Sequence, residues 1–346
     1  DAFGAVHRAH ASVEALPKLV PTRAAGLLLM KELKALGRKL HDKLIKPLGK
    51  LPPSVMLAPD SVLHSLPFVA LVDGKGKYLI ETMALSVVGS GRDLVEKPIP
   101  GEPGEIAVLA GPDFGATATA LQAASASLPK SPITRAPNAR GEWDPLPSAS
   151  AEGARVATLL GAKPIEGAAA TEERLLSLVR PRVLHIATHG FFYPPNIDPR
   201  DREDRMMSDM TGRGIRAADN PMIRSGLVMA GANQEEALRQ AGLADGWATA
   251  LEISLMDLRG TELVVLSACD TGRGDSIGSE GVFGLQRAFR FAGAQSLLVS
   301  LFKVPDASTQ SLMTRFYGAW KPGAPAGTKL EALRDTQLAM LADPQT

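Results

Sequence analysis

Two residue types in this chain combine into a candidate for covalent chemistry. The single cysteine, Cys269, ends the apolar run LVVLSA and is followed at once by Asp270-Thr271-Gly272, a sharp turn. A thiol at a strand end, beside opening backbone amides, is placed where a thiolate is stabilised. A second apolar run, RVLHIATHG, ends on His189-Gly190. A cysteine with a histidine distant in sequence but adjacent in space is the arrangement that thiol catalysis needs. Gly190 lets a carbonyl approach the backbone, so its N–H can stabilise an oxyanion.

Other patterns compete. Gly274-Asp275-Ser276-Ile277-Gly278 fits G-x-S-x-G, yet a nucleophile elbow needs its serine at the strand-to-helix turn itself. Ser276 lies several residues beyond it in a glycine-rich loop, where the pattern arises by chance, and the loop lacks the Gly-Lys-Ser/Thr ending of a P-loop. His185 and His189 form an H-x-x-x-H pair, and in a strand i and i+4 share a face. Zinc would need a third ligand from Cys269 or a carboxylate, so the preferred reading of His185 is a buried, hydrogen-bonded neighbour of the site. Asp306 follows the strand SLLVSLFKV. It either caps the next helix or receives a basic substrate side chain. The stretch 198–216 mixes both charges and reads as a solvated surface loop, with a flap next to His189 as the functional alternative.

Strands alternating with helices must position these residues. From Ala151 onward the order is helix AEGARVATLLGA, helix TEERLLSLV, strand RVLHIATHG, strand SGLVMAG, helix DGWATALEISLMDL and strand TELVVLSA, then helix SEGVFGLQRAFRFAGA, strand SLLVSLFKV and two closing helices. That alternation predicts right-handed βαβ units and a mainly parallel sheet covered on both faces. VLHIA, LVVLSA and SLLVSL are almost wholly apolar, as doubly buried strands are. Sites in such sheets lie beyond the carboxyl ends of the strands. Upstream, Leu28, Leu29, Leu33, Leu36, Leu40 and Leu44 repeat at helical spacing, and Pro52-Pro53 ends that region. SVMLAPD and EIAVLAGPDF read as strands, and LPFVALV and YLIETMALSVV as a hairpin around Asp73-Gly74-Lys75-Gly76. Residues 115–148 lack periodicity and read as a connecting segment.

Composition narrows the classes. The 346 residues are 45% hydrophobic and 22% charged, a globular balance. Lys plus Arg number 38 against 37 Asp plus Glu, so no global charge points to nucleic acid or a membrane surface. Apolar runs stop short of the roughly 18 residues of a membrane span. One cysteine forms no internal disulfide, so the expected compartment is the cytoplasm. A start at Asp1 rather than Met is expected of a fragment or processed chain.

In order, HIATHG, SGLVMAGAN, DGWATALEI, LRGTELVVLSACDTG, SEGVFGLQRAF and SLFKVPDAST resemble the CHAT domain, a caspase-like module of the caspase/separase group of cysteine peptidases. LAPDSVLHSLPFVALVD and YLIETMALSV resemble its N-terminal half, and the resemblance runs from Lys31 to Leu341. It implies a caspase-type α/β/α sandwich, His189 as catalytic histidine, Cys269 as nucleophile, and the Gly190 and Cys269 amides as oxyanion hole. It makes Asp306, with Asp270 second, the receiver of a basic P1 side chain. Phe302 stands where tryptophan is common, which bears on pocket shape. The domains expected are a helical segment over 1–50, the end of an upstream repeat domain, and the CHAT domain over 51–346, in halves 51–148 and 149–346. The expected function is a regulated bacterial signalling or defence endopeptidase. It acts on a protein or peptide without metal or organic cofactor, gated by a repeat or sensor domain. The competing readings are a catalytically silent CHAT scaffold and a metal-dependent hydrolase using His185 and His189.

Overall fold

The computed structural model describes residues 27–60, 63, 64, 66–89, 93, 95, 101–129, 142–192, 222–267, 279–300, 306–325 and 327–343, with backbone alone at 27–32, 279–283, 306 and 307. The chain divides into two compact units, Asp1–Ser90 and Gly91–Thr346.

In the first unit, the leucine repeat forms α1 (Leu27–Leu44), whose last turn carries His41 and Lys43 against the negative end of the helix dipole. Leu40 and Leu44 pack on a small core of Ile45, Phe68, Leu71 and Leu79. β1 (Ser54–Leu57), α2 (Leu79–Thr82) and β2 (Ala84–Val87) follow. The Asp73 turn forms, with its carboxylate accepting the Lys75 and Lys77 N–H groups at 2.8 and 2.9 Å. Its flanks pair only through the antiparallel bridge Val72↔Tyr78. The expected hairpin goes no further, because the Glu81 carboxylate accepts the Tyr78 N–H at 2.6 Å and starts α2. β2 then pairs in parallel with β1.

The second unit runs β3 (Ala107–Pro112), α3 (Ala118–Ser125), α4 (Pro147–Leu160), β4 (Pro164–Gly167), α5 (Glu172–Leu176), β5 (Val183–Ala187), β6 (Gly190–Phe192) and β7 (Ser225–Val228). It continues through α6 (Glu235–Gln240), β8 (Trp247–Thr249), α7 (Ala250–Ser254), β9 (Leu263–Ser267), α8 (Ser279–Phe291), β10 (Leu297–Val299), α9 (Asp306–Ala319) and α10 (Thr328–Ala342). The central sheet has the order β10-β9-β5-β3-β4 and every described pairing in it is parallel. Helices cover both faces, as the doubly apolar strands require. On one face Val183, Val265 and Val108 pack against Val156 of α4 and Met313, Phe316 and Tyr317 of α9. On the other, Leu184, Ile186, Val264 and Leu266 meet Ile253 of α7 and Ala288 and Phe289 of α8. α4 lies so close to β3 that a Cβ at Gly153 would stand 2.2 Å from the Ala110 Cβ, so only glycine fits there.

A second, antiparallel sheet, β6-β7-β8, begins at Gly190, beyond a two-residue link from the end of β5. The structure differs from the sequence reading at DGWATALEISLMDL, where Trp247–Thr249 is strand and α7 starts only at Ala250. Thr249 caps that helix, and the Glu252 carboxylate returns to the Thr249 N–H at 2.8 Å. Short β4, at the sheet edge, and α3, inside the segment read as a connection, lie outside the expected elements. Among the described residues no helix is long and apolar enough to cross a membrane.

Candidate active site

In chain order the strands of the central sheet stand 2-1-3-4-5 from β4 to β10, so the order reverses between β3 and β5. Ligands bind outside the carboxyl ends of the strands at such a switch point. β3 leads there into Asp113-Phe114, and β5 into Thr188-His189. The register Ala187↔Ser267 sets the ends of adjacent β5 and β9 level.

His189 is held in the two-residue link between the sheets. The Thr188 hydroxyl donates to the Val228 carbonyl, and the Val228 N–H donates to the His189 carbonyl at 2.9 Å. The imidazole, 2% exposed, packs against the rings of Phe114 and Trp143, with centroids 5.1 and 5.0 Å away. Its Nε2 is 2.9 Å from the Asp144 carbonyl oxygen. A carbonyl only accepts, so Nε2 carries the proton, and in the neutral ring Nδ1 carries the lone pair. The Val228-to-His189 bond makes Gly190↔Leu227 a wide pair of the antiparallel ladder. The Gly190 N–H therefore points away from β7, on the side where the three-stranded sheet ends.

His185 occupies a different environment. It faces the α4 and α9 side of the sheet, fully buried. Its Nε2 lies 3.0 Å from Glu152 Oε1, off the line of a hydrogen bond, and its Nδ1 lies 3.3 Å from the Tyr317 hydroxyl. Burial, then the Glu152 charge, raises the Tyr317 phenol well above its usual range, so it stays a donor. Glu152 Oε2 accepts the Ser267 hydroxyl at 3.0 Å, tying α4 to the end of β9. The H-x-x-x-H alternation fails because β5 stops at Ala187, and His189 belongs to the link beyond it. Among the described residues no group of three or more His, Cys, Asp or Glu side chains could hold a metal ion.

Beside the small sheet, Glu172, Asp245 and Glu252 are buried acids. Desolvation, then the charges of Glu252, Asp245 and Glu173, raises the Glu172 carboxyl well above the usual carboxylate range, against the Gly246 N–H that donates to it at 3.1 Å.

Of the expected site residues, His189 and Gly190 stand at the switch point. Cys269, Asp270, Ser276 and the 198–216 stretch lie outside the described residues, and Asp306 is described only as the first backbone position of α9. Phe114, Trp143 and the Asp144 carbonyl escaped the sequence reading. The only signal there was one of three tryptophans standing in an otherwise unpatterned stretch.

Residues 34–346 match the family model of the CHAT domain. The chain belongs to the CHAT domain family. The match takes in every described strand of both units. This CHAT domain is similar to tetratricopeptide repeat protein 28 of Homo sapiens and of Mus musculus, each 30% identical over 323 residues, 87% of the chain. The chain spans 12% of the length of those relatives. Residues 1–48 match the family model of phosphoglycerate kinase. A 37-residue stretch, 11% of the chain and 10% of the relative, is 68% identical to the phosphoglycerate kinase of Solibacter usitatus.

Proposed function

We propose that this CHAT domain is a cysteine endopeptidase working through Cys269 and His189. The observation that carries the reading is the register Ala187↔Ser267. His189 and Cys269 each follow by two residues the level ends of adjacent parallel strands, which run about 4.8 Å apart. The fixed Nε2–H of His189 supports it, since Nδ1 is then the atom that exchanges a proton with a thiol.

In this mechanism His189 Nδ1 takes the thiol proton and the Cys269 sulfur attacks the scissile carbonyl carbon. The N–H groups of Gly190 and Cys269 receive the oxyanion. The tetrahedral intermediate collapses, the C–N bond breaks, and the imidazolium gives its Nδ1 proton to the leaving amine. Water, deprotonated by Nδ1, then attacks the thioester carbon and releases the acid and the thiol. Asp306, with Asp270 second, receives a basic P1 side chain. The substrate is a protein or peptide, and the reading assigns a reducing compartment in which the thiol stays free. A repeat domain, as in the tetratricopeptide repeat relatives, supplies regulation.

The second reading is a silent scaffold, favoured by relatives named for their repeats and not for peptide cleavage. Profiling cleavage of a diverse peptide mixture by wild type, Cys269→Ala and Ser276→Ala separates the two. Cleavage lost only in Cys269→Ala, with Arg or Lys at P1, is expected. Cleavage that survives Cys269→Ala refutes the thiol mechanism, and no cleavage by any form supports the scaffold.

A further inference from the structure

Asn233 closes the SGLVMAGAN stretch in the turn between β7 and α6. Its side chain engages the backbone of one residue, Trp143, in both senses. Oδ1 accepts the Trp143 N–H at 2.8 Å, and Nδ2 donates to the Trp143 carbonyl at 3.0 Å. Its own backbone N–H donates to the Phe114 carbonyl at 2.9 Å. Two residues earlier, the Gly231 N–H donates to the Asp113 carbonyl at 2.9 Å.

Phe114 and Trp143 both pack their rings against His189. They arrive on separate segments, one leaving β3 and the other approaching α4. Asn233 is bonded to both. Because Asp144 follows Trp143, the same clamp fixes the carbonyl that meets His189 Nε2. A primary amide supplies a donor and an acceptor together, which is what a peptide N–H and C=O demand; a carboxylate supplies only acceptors and alanine neither.

We propose that Asn233 is the positioning residue for His189. It acts through Trp143, Asp144 and Phe114 to hold the imidazole in its slot as the Nε2–H tautomer. The catalytic meaning of that tautomer rests on the peptidase reading above, whereas the tautomer itself is measurable without it.

The test is ring 15N NMR of histidine-labelled protein at about pH 9, above the histidine range. The His189 signals are assigned as those missing in His189→Ala, among six histidines. Wild type is expected to show Nε2–H alone at His189. Asn233→Ala, which keeps the backbone bond to Phe114 and loses both side-chain bonds, is expected to show a mixture of tautomers. Asn233→Asp keeps only the bond from the Trp143 N–H and is expected to fall between them. In peptide cleavage kcat should fall by between about tenfold and about a hundredfold in Asn233→Ala, with KM nearly unchanged. A wild-type tautomer in both variants overturns the assignment, whatever the activity does. If Asn233→Ala does not fold, Asn233→Asp decides alone by the same spectrum. A shifted tautomer in a protein whose wild type cleaves nothing would leave Asn233 as positioning residue and remove the peptidase reading.

Discussion

Replacing Glu152 tests the buried network beneath the strand ends. Glu152 is 4% exposed, and its two oxygens serve different strands: His185 Nε2 of β5 at 3.0 Å and the Ser267 hydroxyl of β9 at 3.0 Å. Alanine removes the acceptor of the Ser267 hydroxyl, and the carboxylate beside His185 Nε2, which lies close to it without an aligned hydrogen bond. The half-buried Ser267 hydroxyl left without its acceptor costs about 1 kcal/mol. The lost methylene adds about 0.8 kcal/mol of transfer free energy. The expected total for Glu152→Ala is about 2 kcal/mol. Glu152→Gln keeps the shape and can still accept the Ser267 hydroxyl, so a loss under about 1 kcal/mol is expected. Urea unfolding, followed by tryptophan fluorescence, measures both losses. Equal losses in the two variants, or a loss under about 1 kcal/mol in alanine, would refute the assignment of Glu152 as the acceptor that ties α4 to β9.

Gly226→Ala places a Cβ 2.2 Å from the Ala248 carbonyl oxygen and 2.6 Å from the Phe191 ring. Both neighbours are paired strands, so about 1–3 kcal/mol of stability should be lost. Peptide cleavage should fall with it, because β6 and β7 hold the His189 link; a melting temperature unchanged from wild type would contradict this. Glu172, raised by burial and neighbouring acids, contributes stability that is complete below its unfolded value of about 4.3 and is lost as pH rises through its folded value. Glu172→Gln still accepts the Gly246 N–H and should flatten the fall of melting temperature with rising pH, while parallel curves for the two proteins would refute the assignment.

What was legible in the sequence was the framework. VLHIA and LVVLS are almost wholly apolar because both faces are covered, and each stops two residues before a residue proposed for the chemistry. The 3.6-residue leucine spacing marked α1, of which Leu40 and Leu44 pack on the small core while Leu33 and Leu36 stay exposed. What was not legible depends on contacts distant along the chain. Trp143 and Phe114 reach His189 on separate segments, and nothing periodic announces either. Asn233 sat inside a recognisable stretch, yet its partners lie on other segments. The H-x-x-x-H pair misled because alternation holds only while the strand lasts. The Thr249-Ala250-Leu251-Glu252 capping pattern stands at the start of α7, but DGWATALEISLMDL read as one helix from Asp245 and so hid both that start and β8.

The most direct measurement uses the fact that the chain holds a single cysteine, so alkylation reports on Cys269 alone. The rate of iodoacetamide modification is followed by mass spectrometry from about pH 5 to about pH 9 in wild type and His189→Ala, spanning the histidine and thiol ranges. The wild-type thiol is expected to react well below the ordinary thiol value of about 8.5, and His189→Ala is expected to return the midpoint toward it. Superimposable profiles for the two proteins would contradict this.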